Sequence, residues 1–143
     1  MTIEIKLLGQ GNEEILERVA PEVFDKPVNQ AWTAEFLNDP RHHLAVAIEN
    51  GVVVGMASAV HYLHPDKPTE LWINEVGVAP SHWRRGLGQA LVNTLLQVGR
   101  ELGAKEAWVL TERDNTAAIN LYQSTGGVNE ADDTIMFTFY LNE

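Results

Sequence analysis

Residues 73–92 contain three kinds of residue that could do chemistry together. Arg84 and Arg85 stand beside Gly86 and Gly88, where a strand-like apolar pattern gives way to a helical one. A helix start leaves its first backbone N–H groups unpaired, and glycines let an anionic ligand come close enough to accept from them. The segment therefore has the chemistry of a phosphate cradle. Glu75 precedes it on the strand, in line with aliphatic side chains. A carboxylate there can have its pKa raised by desolvation and act as a base, or it can hold a cationic group electrostatically; both readings stand. Two familiar phosphate loops are excluded. No Gly-Lys-Ser/Thr follows, as a P-loop requires, and Leu91 stands where a dinucleotide fingerprint needs its third glycine.

The elements that must position these groups read as an α/β chain with a mixed sheet, one domain over residues 1–143 without linkers or repeats. Residues 2–8 alternate as a strand. Asn12 is expected to cap a helix carrying Ile15, Leu16, Val19 and Val23, with Pro21 bending or ending it. A short helix over residues 29–37 stops at Asp39-Pro40. Leu44, Val46 and Ile48 then alternate with alanines, Asn50-Gly51 supplies a two-residue turn, and residues 52–60 return as an apolar strand. A polar loop over 61–68 leads into a strand over 70–78. That strand is expected to place Leu71, Ile73, Glu75 and Gly77 on one face and Trp72, Asn74, Val76 and Val78 on the other.

From Gly86 the period is helical. Leu87, Ala90, Leu91, Leu95, Val98 and Leu102 form the stripe, and Gly103 caps it. A strand over 105–111 follows, then a helix capped by Asn115 that carries Ala118, Leu121 and Tyr122 and ends at Gly126-Gly127. Residues 134–141 alternate again and are expected to close the sheet. Trp32, Trp72 and Trp108 are read as core or pocket wall. His42-His43 is read as a solvated strand entry.

Composition narrows the function further. Twenty acidic against ten basic side chains give a net charge of −10. That argues against nucleic acid, which demands a basic face, and suits a cationic acceptor better. There is no cysteine, so disulfides, thiolate metal sites and a covalent cysteine intermediate are excluded. His61, His64 and Asp66 are three potential ligands in one loop, but a proline-containing wall of an acceptor pocket accounts for them, and no metal is expected. The opening Met-Thr-Ile-Glu-Ile-Lys lacks a signal-peptide pattern, and the longest apolar stretch, over residues 51–60, is half of what a membrane helix needs. A cytoplasmic protein with no membrane partner is expected.

The second motif is Asn115-Thr-Ala-Ala118-Ile-Asn-Leu-Tyr122-Gln-Ser-Thr-Gly126. Together with the loop at 83–88 it resembles the GCN5-related N-acetyltransferase (GNAT) superfamily, whose pattern is Arg/Gln-x-x-Gly-x-Gly/Ala followed by Asn-x-x-Ala-x-x-x-Tyr-x-x-x-Gly. The likeness covers nearly the whole chain. Within the superfamily the pattern is most similar to aminoglycoside 3-N-acetyltransferases. One departure is Trp83, which stands at the usual Arg/Gln position. Backbone N–H groups are expected to carry the binding there.

The resemblance implies an acyl-CoA N-acyltransferase fold of six to seven strands flanked by four helices, and acetyl-CoA as cosubstrate. Residues 84–89, that is Arg84, Arg85, Gly86, Leu87, Gly88 and Gln89, would hold its pyrophosphate. Backbone groups of Val76 and Val78 would pair with the pantetheine arm, Asn115 would meet the same arm, and the Val78 N–H would stabilise the thioester oxyanion. Tyr122 would protonate the departing thiolate, and Glu75 would serve as base or anchor. The implied activity is direct acetyl transfer, in a ternary complex, to a primary amine of a small cationic molecule, with an aminoglycoside as the leading acceptor. A homodimer is open to such a chain through its terminal strand. A non-catalytic acetyl-CoA-binding or sensing module would share the cradle without needing Glu75 and Tyr122 together.

Overall fold

A computed structural model of the chain describes residues 2–130 and 133–141. In order along the chain come β1 (Glu4–Leu8), α1 (Gln30–Asn38), β2 (His42–Glu49), β3 (Val52–Tyr62), β4 (Glu70–Val78), α2 (Leu87–Glu101), β5 (Glu106–Val109) and α3 (Thr116–Ser124). The sheet runs β1-β2-β3-β4-β5. Its first four strands are antiparallel, and β5 joins parallel to β4 after the α2 crossover.

Local chemistry explains several boundaries. Asn50 (φ 53°) and Gly51 (φ 77°) both take positive φ, as a tight hairpin between β2 and β3 requires. The Asn29 side chain accepts from the Trp32 N–H at 2.9 Å and starts α1. On β2 and β3, Ala45, Ala47, Ala57 and Ala59 are fully buried. Small side chains on these central strands let α2 lie close, with Leu87, Leu91, Val92, Leu95 and Gly99 facing inward. Burying each leucine contributes about 1.5–3 kcal/mol. Leu102, expected in this stripe, is exposed.

Five strands and three α-helices are present among the described residues, against the six to seven and four expected. Two segments account for the difference. Residues 12–23 form only a short 3₁₀ turn over Glu13–Glu17, and Asn12 makes no side-chain cap. Val19 instead bridges to Val53: the Ala20 N–H donates to the Val53 carbonyl and the Val53 N–H to the Arg18 carbonyl, each at 2.8 Å. Pro21 disfavours a helical conformation at Ala20, so the β3 ladder takes over the backbone that the apolar spacing had suggested for a helix. Residues 134–141 lie in no strand, although they alternate as one should. A strand is a property of a pair, and this segment has no ladder partner in its own sheet.

The face assignment of β4 also changes. Ala59 pairs with Ile73 but Ser58 pairs with Glu75, so Asn74 is an extra residue in the ladder. Directly opposed residues share a face. Leu71 and Ile73 therefore point with Ala59 toward α2, where Gly99 lies against Leu71, while Glu75 points with Ser58 to the opposite face. The expected row of Leu71, Ile73 and Glu75 is broken by the bulge.

Beyond the bulge, Gly77 carries the segment before α1. A Cβ built there would fall onto the Val23 carbonyl oxygen, and Val23 is itself buried. Only glycine lets that backbone rest on β4. Gly77→Ala is expected to cost about 1–3 kcal/mol by overpacking, read as a lower urea midpoint with an unchanged m value.

Candidate active site

The bulge at Asn74 marks the point where two strands part. Parallel pairing of β4 with β5 runs from Glu70↔Glu106 to Ile73↔Val109 and then ends. The Ala79 N–H donates to the Val54 carbonyl at 2.9 Å, so the alternating ladder turns the backbone groups of Gly77 and Glu75 toward β3 as well. By the same alternation Val76 and Val78 turn theirs the other way, into the gap opening beside β5. A short row of strand groups thus faces a slot with no strand in it.

At the mouth of the slot the chain turns through Pro80–His82 into α2. Gly86 (φ 77°) is the N-cap of α2 and supplies no side-chain cap. Arg84 also takes positive φ, at 66°. Left-handed residues on either side of Arg85 curve the backbone, and such curvature gathers N–H groups toward an anion. Arg84 and Arg85 are exposed, and Gly88 lies against the Leu121 side chain of α3. The Gln89 side chain donates to Ser124 Oγ at 2.9 Å, leaving its backbone as the group free to face a ligand.

Trp83 does something the sequence did not reveal. Its Nε1–H donates to the Val78 carbonyl at 2.7 Å, although the residue is 60% exposed. One of the open strand groups is therefore already satisfied, and the Val78 N–H remains. The loop has a second anchor: His82 Nε2 lies 2.7 Å from Glu49 Oε1, and Ser81 Oγ lies 2.8 Å from His82 Nδ1. A ring proton on Nε2 donates to Glu49. That hydrogen bond from His82 holds the Glu49 carboxyl below its ordinary range.

Glu75 opens toward the segment that Gly77 supports, and it is exposed rather than buried as expected. Its pKa is nonetheless raised, first by partial desolvation and then by the Asp25 carboxylate, through both charge and a shared hydrogen bond. Asp25 was not singled out from the sequence; it has no motif, and only the docking of Val23 on Gly77 brings it to Glu75. Asp25 also lines an open cleft of about 500 Å³ with Val19, Phe24, Lys26 and Val28. The lining of this cleft comes from residues 16–30.

Tyr122 on α3 is half-buried against the core, and burial pushes its hydroxyl pKa up, which keeps the proton on the oxygen at neutral pH. Asn115 Oδ1 accepts from the Ala118 N–H at 3.0 Å, capping α3 as expected and leaving its amide N–H₂ to meet a ligand. The remaining aromatic expectations divide. Trp72 and Trp108 stack with ring centres 4.9 Å apart, but Trp32 is 70% exposed and is not core. His61 lies in β3, not in a loop, with its Nδ1 2.8 Å from Nε2 of a half-buried His43, so His43 is not a solvated strand entry. Among the described residues no group of three or more His, Asp or Glu is gathered to hold a metal. None of the described helices is long and apolar enough to cross a membrane.

A five-stranded mixed sheet whose β4 and β5 part beside an uncapped, glycine-opened helix defines an acyltransferase type of site. The Acetyltransferase (GNAT) family model matches residues 10–127, and the chain belongs to that family, as an acyltransferase enzyme. It is 30% identical over 112 residues to the uncharacterized N-acetyltransferase Rv2669 of Mycobacterium tuberculosis (strain ATCC 25618 / H37Rv), covering 76% of this chain and 69% of the relative. Among solved structures, an aminoglycoside acetyltransferase from an uncultured soil metagenomic sample superposes with a TM-score of 0.81 at 22% identity, over 99% of this chain and 100% of the other. AAC(6′)-Iy bound to a bisubstrate analogue, CoA-S-monomethyl-acetylneamine, does so with 0.79 at 20% identity, over 98% and 99%. At these identities the likeness is one of fold. Where a ring position is named it is 6′, so the narrower resemblance to 3-N enzymes is not supported by that neighbour.

The Glu75–Asp25 pair can be tested directly. A carboxyl raised in the folded state binds more protons there than when unfolded, so stability should fall as pH rises from the ordinary carboxylate pKa through the raised one. Asp25→Asn should return the Glu75 midpoint toward its ordinary value in a carboxyl NMR titration. An unmoved midpoint would rule out coupling between the two.

Proposed function

We propose that the chain is a single acetyl-CoA-dependent N-acetyltransferase domain over residues 1–143, acting on a primary amine of a small cationic acceptor, aminoglycoside-like, by direct transfer in a ternary complex. The observation that carries this reading is the slot beside β4: outward-turned backbone at Val76 and Val78 leads to an uncapped helix start flanked by two arginines. That combination fits a ligand with an amide-bearing arm and a pyrophosphate. Val76 and the Val78 N–H would hold the arm, with Asn115 meeting it from α3, and residues 84–89 would hold the phosphates. Acetyl-CoA would supply the acetyl group as an activated thioester. A homodimer and a cytoplasmic location, where such a thioester is made, complete the proposal.

The chain's own residues divide the proton work. Glu75, with its pKa raised by desolvation and Asp25, is the proposed group that takes a proton from the acceptor's ammonium, directly or through water. The same two carboxylates attract that ammonium, so base and anchor need not be different residues. Tyr122 keeps its hydroxyl proton at neutral pH and is the proposed donor to the departing sulfur. The Val78 N–H is the proposed donor to the acetyl oxygen.

Thiol release from acetyl-CoA over a panel of aminoglycosides, polyamines and amino-acid amines tests the reading. Tyr122→Phe and Glu75→Gln should each lower kcat by about 10²–10⁴-fold while CoA affinity holds. No turnover on any amine, with acetyl-CoA still bound, would convert the chain to a binding or sensing module. Arg85→Ala should weaken CoA more than dephospho-pantetheine, as measured by calorimetry; equal losses would remove the phosphates from that loop.

A further inference from the structure

Residues 80–86 form the turn on which the proposed phosphate end depends, and little in their own composition holds them. Ser81, Trp83, Arg84, Arg85 and Gly86 are exposed, and Gly86 supplies no side-chain cap. Arg84 takes a positive φ, 66°, which a residue with a side chain keeps only when its surroundings impose it. Much of the turn's bonding is local. The His82 N–H donates to the Ala79 carbonyl at 2.8 Å, the Trp83 N–H to the Pro80 carbonyl at 3.3 Å, and the Trp83 indole to Val78 at 2.7 Å. The His82 side chain reaches further. Its Nε2 meets Glu49 Oε1 at 2.7 Å, a partner 33 positions away in sequence, while its Nδ1 lies 2.8 Å from Ser81 Oγ. Glu49 is a firm post, because it ends β2, opposite Val52, at the base of the Asn50-Gly51 hairpin. Both side chains are mostly shielded from water, at 12% exposure for His82 and 18% for Glu49.

A carboxylate at this point is unfavourable for an anionic ligand. Arg85 acts on Glu49 through its charge, so an untied Glu49 would compete with a phosphate for the same guanidinium. The hydrogen bond from His82 is the larger influence on Glu49: it holds the carboxyl below its ordinary range and keeps it ionised, which makes the bond charge-assisted and strong. We propose that Glu49 and His82 are positioning residues for the cosubstrate: the pair fixes the 80–86 turn in the curvature that gathers N–H groups at the start of α2, and it keeps the Glu49 carboxylate off Arg85. Neither residue touches a reacting atom; both act through the turn. The inference rests on the acetyl-CoA reading above and deepens it, by giving the β2–β3 hairpin a part in holding the phosphates.

Calorimetry of the full chain with CoA and with pantetheine, which shares the arm and lacks the phosphates, separates the turn from the slot. CoA bound no more tightly than pantetheine by the unaltered chain overturns the phosphate reading itself, before any variant is made. His82→Ala, or His82→Phe if the ring volume is needed for folding, should weaken CoA about tenfold and pantetheine by less than about twofold. Glu49→Gln keeps an acceptor in the same place without the charge, and should stay within about threefold of the unaltered chain for both ligands. Adding Glu49→Ala to the His82 variant should restore part of the lost CoA affinity, because the freed carboxylate no longer competes for Arg85. Equal losses for CoA and pantetheine in the His82 variants, or no loss, overturn the positioning role. Failure of both His82 variants to give the circular dichroism of the unaltered chain does the same, since the pair would then hold the sheet and not the turn. A double variant no better than the His82 variant alone overturns the competition with Arg85.

Discussion

Everything at the site depends on how short the parallel ladder between β4 and β5 is. Pairing holds from Glu70 to Ile73 and then stops, at the residue where Asn74 adds an extra position to β4. A continued ladder would have consumed the backbone groups of Val76 and Val78. Because it stops, they face a slot, and because α2 begins at Gly86 without a cap, the slot ends at unpaired N–H groups. The same bulge rotates Glu75 out of the row of Leu71 and Ile73 and onto the face where Asp25 lies beside it. One local irregularity thus shapes both halves of the proposed site.

The two halves differ in sign. The phosphate end has Arg84, Arg85 and a helix start; the acceptor end has Glu75 and Asp25. A chain of net charge −10 would seem ill suited to a polyanionic cosubstrate. Charges beyond about 8 Å are largely screened at physiological salt, while a cradle acts in contact, so the local positive end can work within an acidic protein. At the other end the overall acidity and the carboxylate pair act in the same direction, favouring a cationic acceptor. Trp83 fits this proposed division: where the family pattern has a polar side chain, an indole ties the loop to β4 through the Val78 carbonyl, and in the proposed site phosphate contacts would fall to backbone and to the arginines that follow.

The opened end of the sheet follows from the same economy of pairing. β5 is only four residues long, and α3 packs on α2 through Leu121 against Gly88 and Ser124 against Gln89. That contact fixes Leu121 and Ser124, and Tyr122 between them, near the helix start, while among the described residues β5 has no strand on its outer side. Among the described residues an apolar segment outside the sheet, 134–141, and an edge strand, β5, then coexist.

Much was legible in the residues themselves. The Asn50-Gly51 hairpin, the cap at Asn115, the core stripe of α2 and its glycine start at Gly86 are local, because each depends on groups within a turn or two of one another. The family pattern could be read for the same reason. Other features had no local signal. Val19 joined β3 in place of a helix, a bulge moved Glu75 to the other face, Asp25 reached Glu75 only through Val23 on Gly77, and residues 134–141 stayed out of the sheet. In each case periodicity and propensity permit several pairings, and the choice among them is made by a partner distant in sequence. The sequence by itself thus determined which segments can pair and which groups can do chemistry. Only the tertiary structure decided which backbone groups are left unpaired, and those are the groups that make the slot.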